Sequence, residues 1–168
     1  MSFQSELITV VDEKNQVIDC LPRSIVRREN LIHRATYIFL SDSKNRICIQ
    51  KRSIGKDLYP GMVDLACGGT IRYNESYEEN AYRELEEELG VSNTKLEHLG
   101  NYFFQDSKCR VWGSVYSCTY DGIIIKQDEE IQSFELVNFE DINVCKWKDI
   151  FSPDTKQIFD IFSNKLSA

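Results

Sequence analysis

The sequence predicts an α/β fold, in which a mixed β-sheet is flanked by helices as an α/β/α sandwich. Short runs rich in β-branched and aromatic residues recur between residues 7 and 137, as they do in the strands of a sheet. Two longer stretches, residues 76–89 and 153–166, carry helical patterns instead. The chain has 168 residues, of which 42% are hydrophobic, so we expect one domain over residues 1–168.

The N-terminal part, residues 1–30, predicts a hairpin followed by a connection. Strands are expected at residues 7–11 and 16–20, on either side of the polar turn 12–15. Residues 22–30 are basic, and they are typical of a short helix or a connection.

Two further strands are expected before the first long helix. Residues 33–40 are rich in β-formers and nearly continuous in hydrophobicity, which indicates a central strand. Residues 46–52 alternate between two faces and form the next strand. A loop over residues 54–60 and a short apolar run over 62–67 then lead to a glycine pair.

The first long helix is predicted over residues 76–89, which contain no proline or glycine and are rich in Ala, Leu and Glu. Asn74 is the expected N-cap and Gly90 the expected C-terminal stop. An apolar stripe should pack this helix on the core, and its residues are Ala81, Leu85 and Leu89.

The second half of the chain predicts four strands and two helices. The strands are expected at residues 96–104, 111–120, 123–125 and 134–137. The helices are expected at residues 139–145 and 153–166, the second with an apolar stripe of Ile158, Ile161, Phe162 and Leu166.

A cluster of carboxylates marks the first long helix. Glu84, Glu87 and Glu88 are spaced i, i+3 and i+4, so they share one helix face. Like charges at this spacing repel one another, and hard oxygen ligands in such a group are what Mg²⁺ requires. The alternative interpretation is a solvated acidic face without function.

The spacing of residues 69–91 is more specific than an acidic face. It follows the pattern G-x5-E-x7-R-E-U-x-E-E-x-G-U, with U apolar, and therefore resembles the Nudix box. The fixed positions are Gly69, Glu75, Arg83, Glu84, Leu85, Glu87, Glu88, Gly90 and Val91.

The resemblance extends from about residue 10 to residue 153, and it points to the Nudix branch related to isopentenyl-diphosphate isomerase. Within that branch the sequence is most similar to bacterial YfcD-type hydrolases. The segments that carry this resemblance are 33–35, 51–52, 60–62, 67–69 and 109–113. It implies the Nudix sandwich fold and Mg²⁺-dependent hydrolysis of the diphosphate linkage between a nucleoside diphosphate and another group, with Mn²⁺ as a substitute ion.

The resemblance also implies the roles of individual residues. Glu84, Glu87 and Glu88, together with the backbone carbonyl of Gly68, are the expected metal ligands. Arg83 is expected to orient a carboxylate through its planar fork, and Glu75 to support the site. The general base is left open between Glu84, Glu129 and Glu130, of which Glu130 aligns best. The acidic stretch 128–130 is otherwise a charged turn that keeps an edge strand soluble.

Substrate contacts are predicted less sharply than the metal site. Arg52, Lys56 and Arg110 are the expected partners of the phosphates. Phe103, Phe104 and Trp112 either stack on a base or fill the core, and burial tendencies favour the core.

Composition excludes several other functions. The net charge of −7 argues against a nucleic-acid footprint, and no apolar run has membrane-spanning length or the pattern of a signal peptide. The six cysteines are widely spaced, which is typical of reduced thiols in a cytoplasmic protein. We expect a monomer or homodimer whose partner is a small diphosphate.

Two alternatives to a hydrolase are an isoprenoid isomerase and a binding module without activity. Cys67 falls at the position of the isomerase's cysteine. However, Gly69 stands where that family has a metal-binding histidine, and residues 109–111 replace its Glu-x-Glu motif. Only His33 matches one of its metal histidines. An intact carboxylate cluster argues against the binding module, which has no need for repelling charges.

Overall fold

The computed structural model describes residues 6–166, so residues 1–5 and 167–168 of the predicted domain lie outside the described part. The strands are β1 (Leu7–Val11), β2 (Val17–Pro22), β3 (His33–Ser41), β4 (Arg46–Arg52), β5 (Val63–Asp64), β6 (Glu97–Gln105), β7 (Arg110–Thr119) and β8 (Ile131–Asn138). The helices are α1 (Arg23–Arg28), α2 (Tyr77–Leu89) and α3 (Pro153–Leu166).

The sheet is mixed and is built around β3. This strand runs parallel to β7 along its whole length, from His33 opposite Val111 to Ser41 opposite Thr119. Strand β6 pairs antiparallel with β7, and β4 pairs antiparallel with both β5 and β8. The β1–β2 hairpin joins the sheet through β3. The predicted mixed sheet is therefore confirmed.

Side chains of β3 alternate between the two faces of the sheet, which gives the molecule two main cores. Tyr37 and Phe39 belong to the core beneath α3, whereas Ile38 and Leu40 belong to the core beneath α2. The predicted stripe of α2 is completely buried. The α/β/α sandwich is therefore confirmed, with α2 on one face and α3 on the other.

Helix α2 is capped two residues later than predicted. Its N-cap is Ser76, whose hydroxyl accepts from the Glu79 amide while the Glu79 carboxylate accepts from the Ser76 amide. This reciprocal pair is a capping box. The prediction of Asn74 as N-cap is wrong, because Asn74 adopts a positive φ of 63° in the preceding turn. Gly90 ends the helix in the left-handed conformation, as predicted.

Other boundaries also differ from the sequence prediction. Residues 123–125 form no strand, because this segment crosses the end of α2 and the Ile125 amide donates to the Leu89 carbonyl at 2.9 Å. Residues 139–145 form a short 3₁₀ turn and further turns rather than a helix. Strand β2 is shifted to Val17–Pro22. In α3, Ile161 is 49% exposed and Phe159 takes its place in the core.

No helix among residues 6–166 combines the length and apolar character that a membrane crossing requires.

Candidate active site

The loop at Gly68 and Gly69 is fixed to the middle of β3. The Ile38 amide donates to the Cys67 carbonyl at 2.7 Å, and the Thr36 amide donates to the Gly69 carbonyl at 3.0 Å. Gly68 has a φ of +142°, and a Cβ at this position would collide with the Thr36 carbonyl. A Cβ on Gly69 would collide with the Glu84 carboxylate. Glycine is therefore required at position 68 for the close approach of loop and strand, whereas a side chain at position 69 would displace the Glu84 carboxylate.

Helix α2 presents its carboxylates to the cleft beside this loop. Glu84, Glu87 and Glu88 line one cleft of about 60 Å³ together with Gly68 and Glu130. The predicted clustering on one helix face therefore brings all three glutamates to one site. Within residues 6–166, however, no three acidic, His or Cys side chains converge tightly enough to form a ready metal site. Basic side chains hold the carboxylates in their present positions.

Arg83 is the first of these basic residues. Its guanidinium binds both oxygens of Glu75, with Nε 2.6 Å from Oε1 and Nη2 3.1 Å from Oε2. Its Nη1 lies 2.8 Å from Glu84 Oε1 and 2.9 Å from Glu87 Oε2. Glu75 is itself fixed by the Arg72 amide at 3.0 Å and by Asn80 at 2.8 Å. Arg83 thus links a rigid support to two of the cleft carboxylates.

Lys56 approaches the cleft from the opposite side. Its ammonium forms an ion pair with Glu130 and lies 3.8 Å from Glu88 Oε1. The other oxygen of Glu88 accepts from the Gly68 amide at 3.4 Å. Of the acidic residues 128–130, Glu130 lines the cleft, whereas Glu129 lines only the neighbouring groove. The structure therefore brings Glu130, the better-aligned candidate base, to the carboxylate helix.

Two of the cleft carboxylates, Glu84 and Glu88, lie in surroundings that disfavour their charged form. Burial raises the pKa of Glu88 to about 8, and the negative charges of Glu84 and Glu130 act in the same direction, while Lys56 opposes them. Burial also raises the pKa of Glu84, against the effect of Arg83. A set of buried oxygen ligands that resists ionisation without a cation suits a divalent metal ion. The residues present therefore fit Mg²⁺.

The predicted substrate residues fall into two groups. Lys56 and Arg52 both face the cavity that continues inward from the glycine loop, and Arg52 is held there by Asp64 and the Leu58 carbonyl. Arg110 does not line this cavity, because its side chain lies beside Glu13, with Nη2 3.6 Å from Oε1. The structure thus does not bring Arg110 to the other two.

The predicted aromatic residues pack with one another. Phe104 is 3% exposed and belongs to the core. The rings of Phe103 and Trp112 pair at a centroid distance of 5.3 Å, and neither residue lines the clefts at the glycine loop.

Sequence reasoning missed three residues that shape the site. Arg23 lines both the carboxylate cleft and the inner cavity, and Arg27 lines the inner cavity. Their i, i+4 spacing in a basic stretch was the available signal. Asn80 is completely buried, and it ties α2 to Thr36 at 2.5 Å and to the Thr70 carbonyl at 3.1 Å. The motif leaves that position unspecified.

The comparison with known proteins agrees with this geometry. The NUDIX domain model matches residues 31–159, which is more than half of the chain. The chain therefore belongs to the Nudix family, and its class is that of a hydrolase acting on phosphorus-containing acid anhydrides.

Its relatives within the family are bacterial Nudix hydrolases of the YfcD type, as the sequence resemblance predicted. It is 38% identical to the Nudix hydrolase YfcD of Escherichia coli (strain K12) over 152 residues, which cover 90% of this chain and 83% of that protein. The structure of DR0079 from Deinococcus radiodurans matches with a TM-score of 0.70 and 27% identity, over 80% of this chain and 85% of that one. The MutT protein of Methanosarcina mazei shares the fold, with a TM-score of 0.69 and 19% identity, over 82% of this chain and 96% of that one.

Proposed function

We propose that the protein is a Mg²⁺-dependent hydrolase that cleaves the diphosphate linkage between a nucleoside diphosphate and another group. The observation that carries the proposal is the carboxylate face of α2, which opens on one cleft with Glu130 and Lys56 beside the glycine loop. In such a cleft the glutamates can bind a metal cation, and Lys56 can bind the oxygens of a diphosphate.

The residues proposed to hold the ion are Glu84, Glu87, Glu88 and the carbonyl of Gly68. Mn²⁺ should substitute for Mg²⁺, because carboxylate and carbonyl ligands suit both ions. When bound, the ion lowers the pKa of a water molecule and neutralises phosphoryl oxygens. Arg83 acts as a positioning residue, since its fork holds Glu84 and Glu87 in place while Glu75 holds the fork.

Glu130 is the proposed general base. It lies across the cleft from α2, so it is placed to take a proton from a water molecule between the two. Lys56 is the nearest cation to both Glu88 and Glu130 in this cleft. We propose that a substrate phosphate competes for its ammonium, with Arg52 further inward as a second contact. Arg110 is not part of this proposed phosphate site.

We further propose that residues 1–168 act as one domain, because the N-terminal segment contributes Arg23 and Glu6 to the cleft. Every proposed site residue comes from one chain, so a monomer or a homodimer would carry a complete site. The proposed place of action is the cytoplasm, where the six cysteines, all free in the structure, would stay reduced.

The experiment that tests the proposal is a panel of diphosphates incubated with Mg²⁺ in water labelled with ¹⁸O. The panel contains nucleoside diphosphates and triphosphates, sugar nucleotides, dinucleotides and coenzyme A. We expect two phosphorylated products from at least one substrate with two groups, with the label on a phosphate and no turnover in EDTA. Label in the non-phosphate product would mean attack at carbon, and it would contradict the proposal.

A further inference from the structure

A second cavity of about 70 Å³ opens inward from the carboxylate cleft, past Gly68 and Gly69. Arg23 and Lys56 line both spaces and form a cationic border between them. A molecule held in the cleft can therefore extend past this border into the cavity. The proposed hydrolysis uses this border and Arg52. The carboxylates and the tyrosine deeper in the cavity have no role in it.

The cavity is lined by a buried network of carboxylates and hydroxyls. Asp154 accepts from the Tyr37 hydroxyl at 3.0 Å and from the Thr155 amide at 2.9 Å. Asp64 accepts from the Arg52 guanidinium and from the Ser152 hydroxyl. Both aspartates are only 7% exposed. Each of these four contacts uses a different carboxylate oxygen, and every carboxylate oxygen can accept a second hydrogen bond.

The network is held by rigid elements. Asp64 lies on β5, Tyr37 on the central strand β3, and Asp154 in the first turn of α3. The Tyr37 ring rests on Gly113 of β7, where a Cβ would lie 2.6 Å from Tyr37 Cε2. Groups placed on strands and on a helix terminus are positioned more precisely than groups on loops. Burial together with the charge of Asp64 raises the pKa of Asp154 to about 6, against the effect of its hydrogen bonds from Thr155 and Tyr37.

The lining favours one kind of ligand. The rest of the lining combines basic side chains, among them Arg23, Arg27 and Lys56, with small ones such as Ala35 and Ala66. Within the described residues no Phe or Trp side chain lines the cavity. The rings of Tyr37 and His33 do line it, but Tyr37 is packed against Gly113 and His33 is hydrogen-bonded to Leu31 and Arg27. Carboxylate acceptors and a tyrosine hydroxyl pair instead with the hydroxyl groups of a polyol or sugar.

We propose that this cavity is the specificity pocket for the group attached to the diphosphate, and that it takes a hydroxylated, sugar-like group through Asp64, Asp154 and Tyr37. The inference rests on the proposed function for the diphosphate itself. The three residues contact the group attached to the diphosphate and determine specificity for it. They take no part in bond cleavage. A site built to hydrogen-bond hydroxyls rejects an analogue that lacks them.

The test compares two phosphate monoesters of equal chain length, ribose 5-phosphate and n-pentyl phosphate, whose affinities are measured by calorimetry in Mg²⁺. A parallel assay compares kcat/KM for ADP-ribose and for ADP esterified with n-pentanol. The variants are Asp154→Asn and Tyr37→Phe. Matched controls are Asp160→Asn, which alters an exposed ion pair with Lys156 on the same helix, and Tyr102→Phe, whose hydroxyl contacts Gln157 away from the cavity.

We expect the wild type to favour the hydroxylated ligand, and each variant to reduce that preference by about 10- to 100-fold, as for a hydrogen bond to a charged group. The control variants should keep the wild-type preference. An equal loss of affinity for both ligands in the variants, or no preference in the wild type, would contradict the proposed pocket. If the binding preference behaves as expected while no diphosphate is hydrolysed, the pocket stands and the proposed hydrolysis fails. If Asp154→Asn does not fold, Tyr37→Phe decides.

Discussion

At the scale of single residues, the site depends on buried side chains whose hydrogen bonds fix them in one position. His33 is an example, since it is 3% exposed at the start of β3. Its Nδ1 lies 3.0 Å from the Leu31 carbonyl and its Nε2 lies 3.2 Å from Arg27 Nη1. A neutral ring that donates from Nδ1 and accepts at Nε2 satisfies both contacts. It thereby holds Arg27 beside the inner cavity.

Acid should destabilise the protein through His33. Burial and the Arg27 charge lower the pKa of His33 from 6.5 to about 3. Between these two pH values, His33 is protonated in the unfolded state but stays neutral in the folded state. Stability is therefore full above pH 6.5 and falls as the pH drops toward 3. Between pH 7 and pH 5, His33 should lower the free energy of unfolding by about 2 kcal/mol. The His33→Gln variant should lose less stability over this range, by that amount. Urea unfolding of both proteins at the two pH values measures it, and equal losses in both would contradict the assignment.

The clustering of Glu84, Glu87 and Glu88 on one helix face could be predicted from the sequence, because it follows from their spacing alone. The side chains that pair with these glutamates could not be predicted in this way. Lys56 is 32 positions from Glu88 in sequence and reaches it only because β4 and its loop fold over the cleft. Arg110 is predicted among the phosphate contacts, yet strand alternation puts Val111 rather than Arg110 into the cavity.

At the scale of elements, α2 is a helix whose ends are fixed and whose apolar stripe is completely buried. The capping box satisfies two backbone amides at its start, and Gly90 allows the left-handed turn at its end. Both caps matter for function, because the carboxylates occupy the last two turns. Asn74 and Ser76 are both good capping residues. Glu79, three residues after Ser76, completes a capping box and favours Ser76, a sequence signal that the prediction did not use.

Removing the cap should weaken the helix in a measurable way. Ser76→Ala should lower the free energy of unfolding by about 1 kcal/mol, because the Glu79 amide loses its acceptor. Ser92→Ala serves as a control, since Ser92 is exposed and lies outside the helix. Denaturant unfolding compares the two variants. A cost for Ser76→Ala no greater than that of the control would contradict the capping role.

At the scale of the whole molecule, the sandwich brings the glycine loop, the carboxylate helix and the α1 segment to one side of β3. The order of strand and helix patterns along the chain predicted this layering. It failed where short segments follow local contacts, as at residues 123–125, where the backbone bonds to the end of α2 instead of to a strand. Long-range placement of that kind leaves no periodic signal in the sequence.

The whole site also separates this protein from isoprenoid isomerases. Cys67 is 2% exposed, and burial raises the pKa of its thiol well above the ordinary value, so it stays protonated and cannot act as a base. We expect isopentenyl diphosphate and Mg²⁺ to give no dimethylallyl diphosphate, as followed by NMR. Isomerisation that disappears in Cys67→Ala and persists in Glu87→Gln would overturn this conclusion.

The most direct test of the carboxylate cleft uses neighbouring glutamates of one helix. Glu87→Gln and Glu88→Gln each remove a proposed ligand with little change in shape, whereas Glu86→Gln alters an exposed residue outside the cleft. On a diphosphate that the wild type hydrolyses, we expect the first two variants to lose about 10²- to 10⁴-fold in kcat with Mg²⁺. Glu86→Gln should keep wild-type kcat, and all three should show native circular dichroism. Near-normal turnover in both Glu87→Gln and Glu88→Gln would contradict the account.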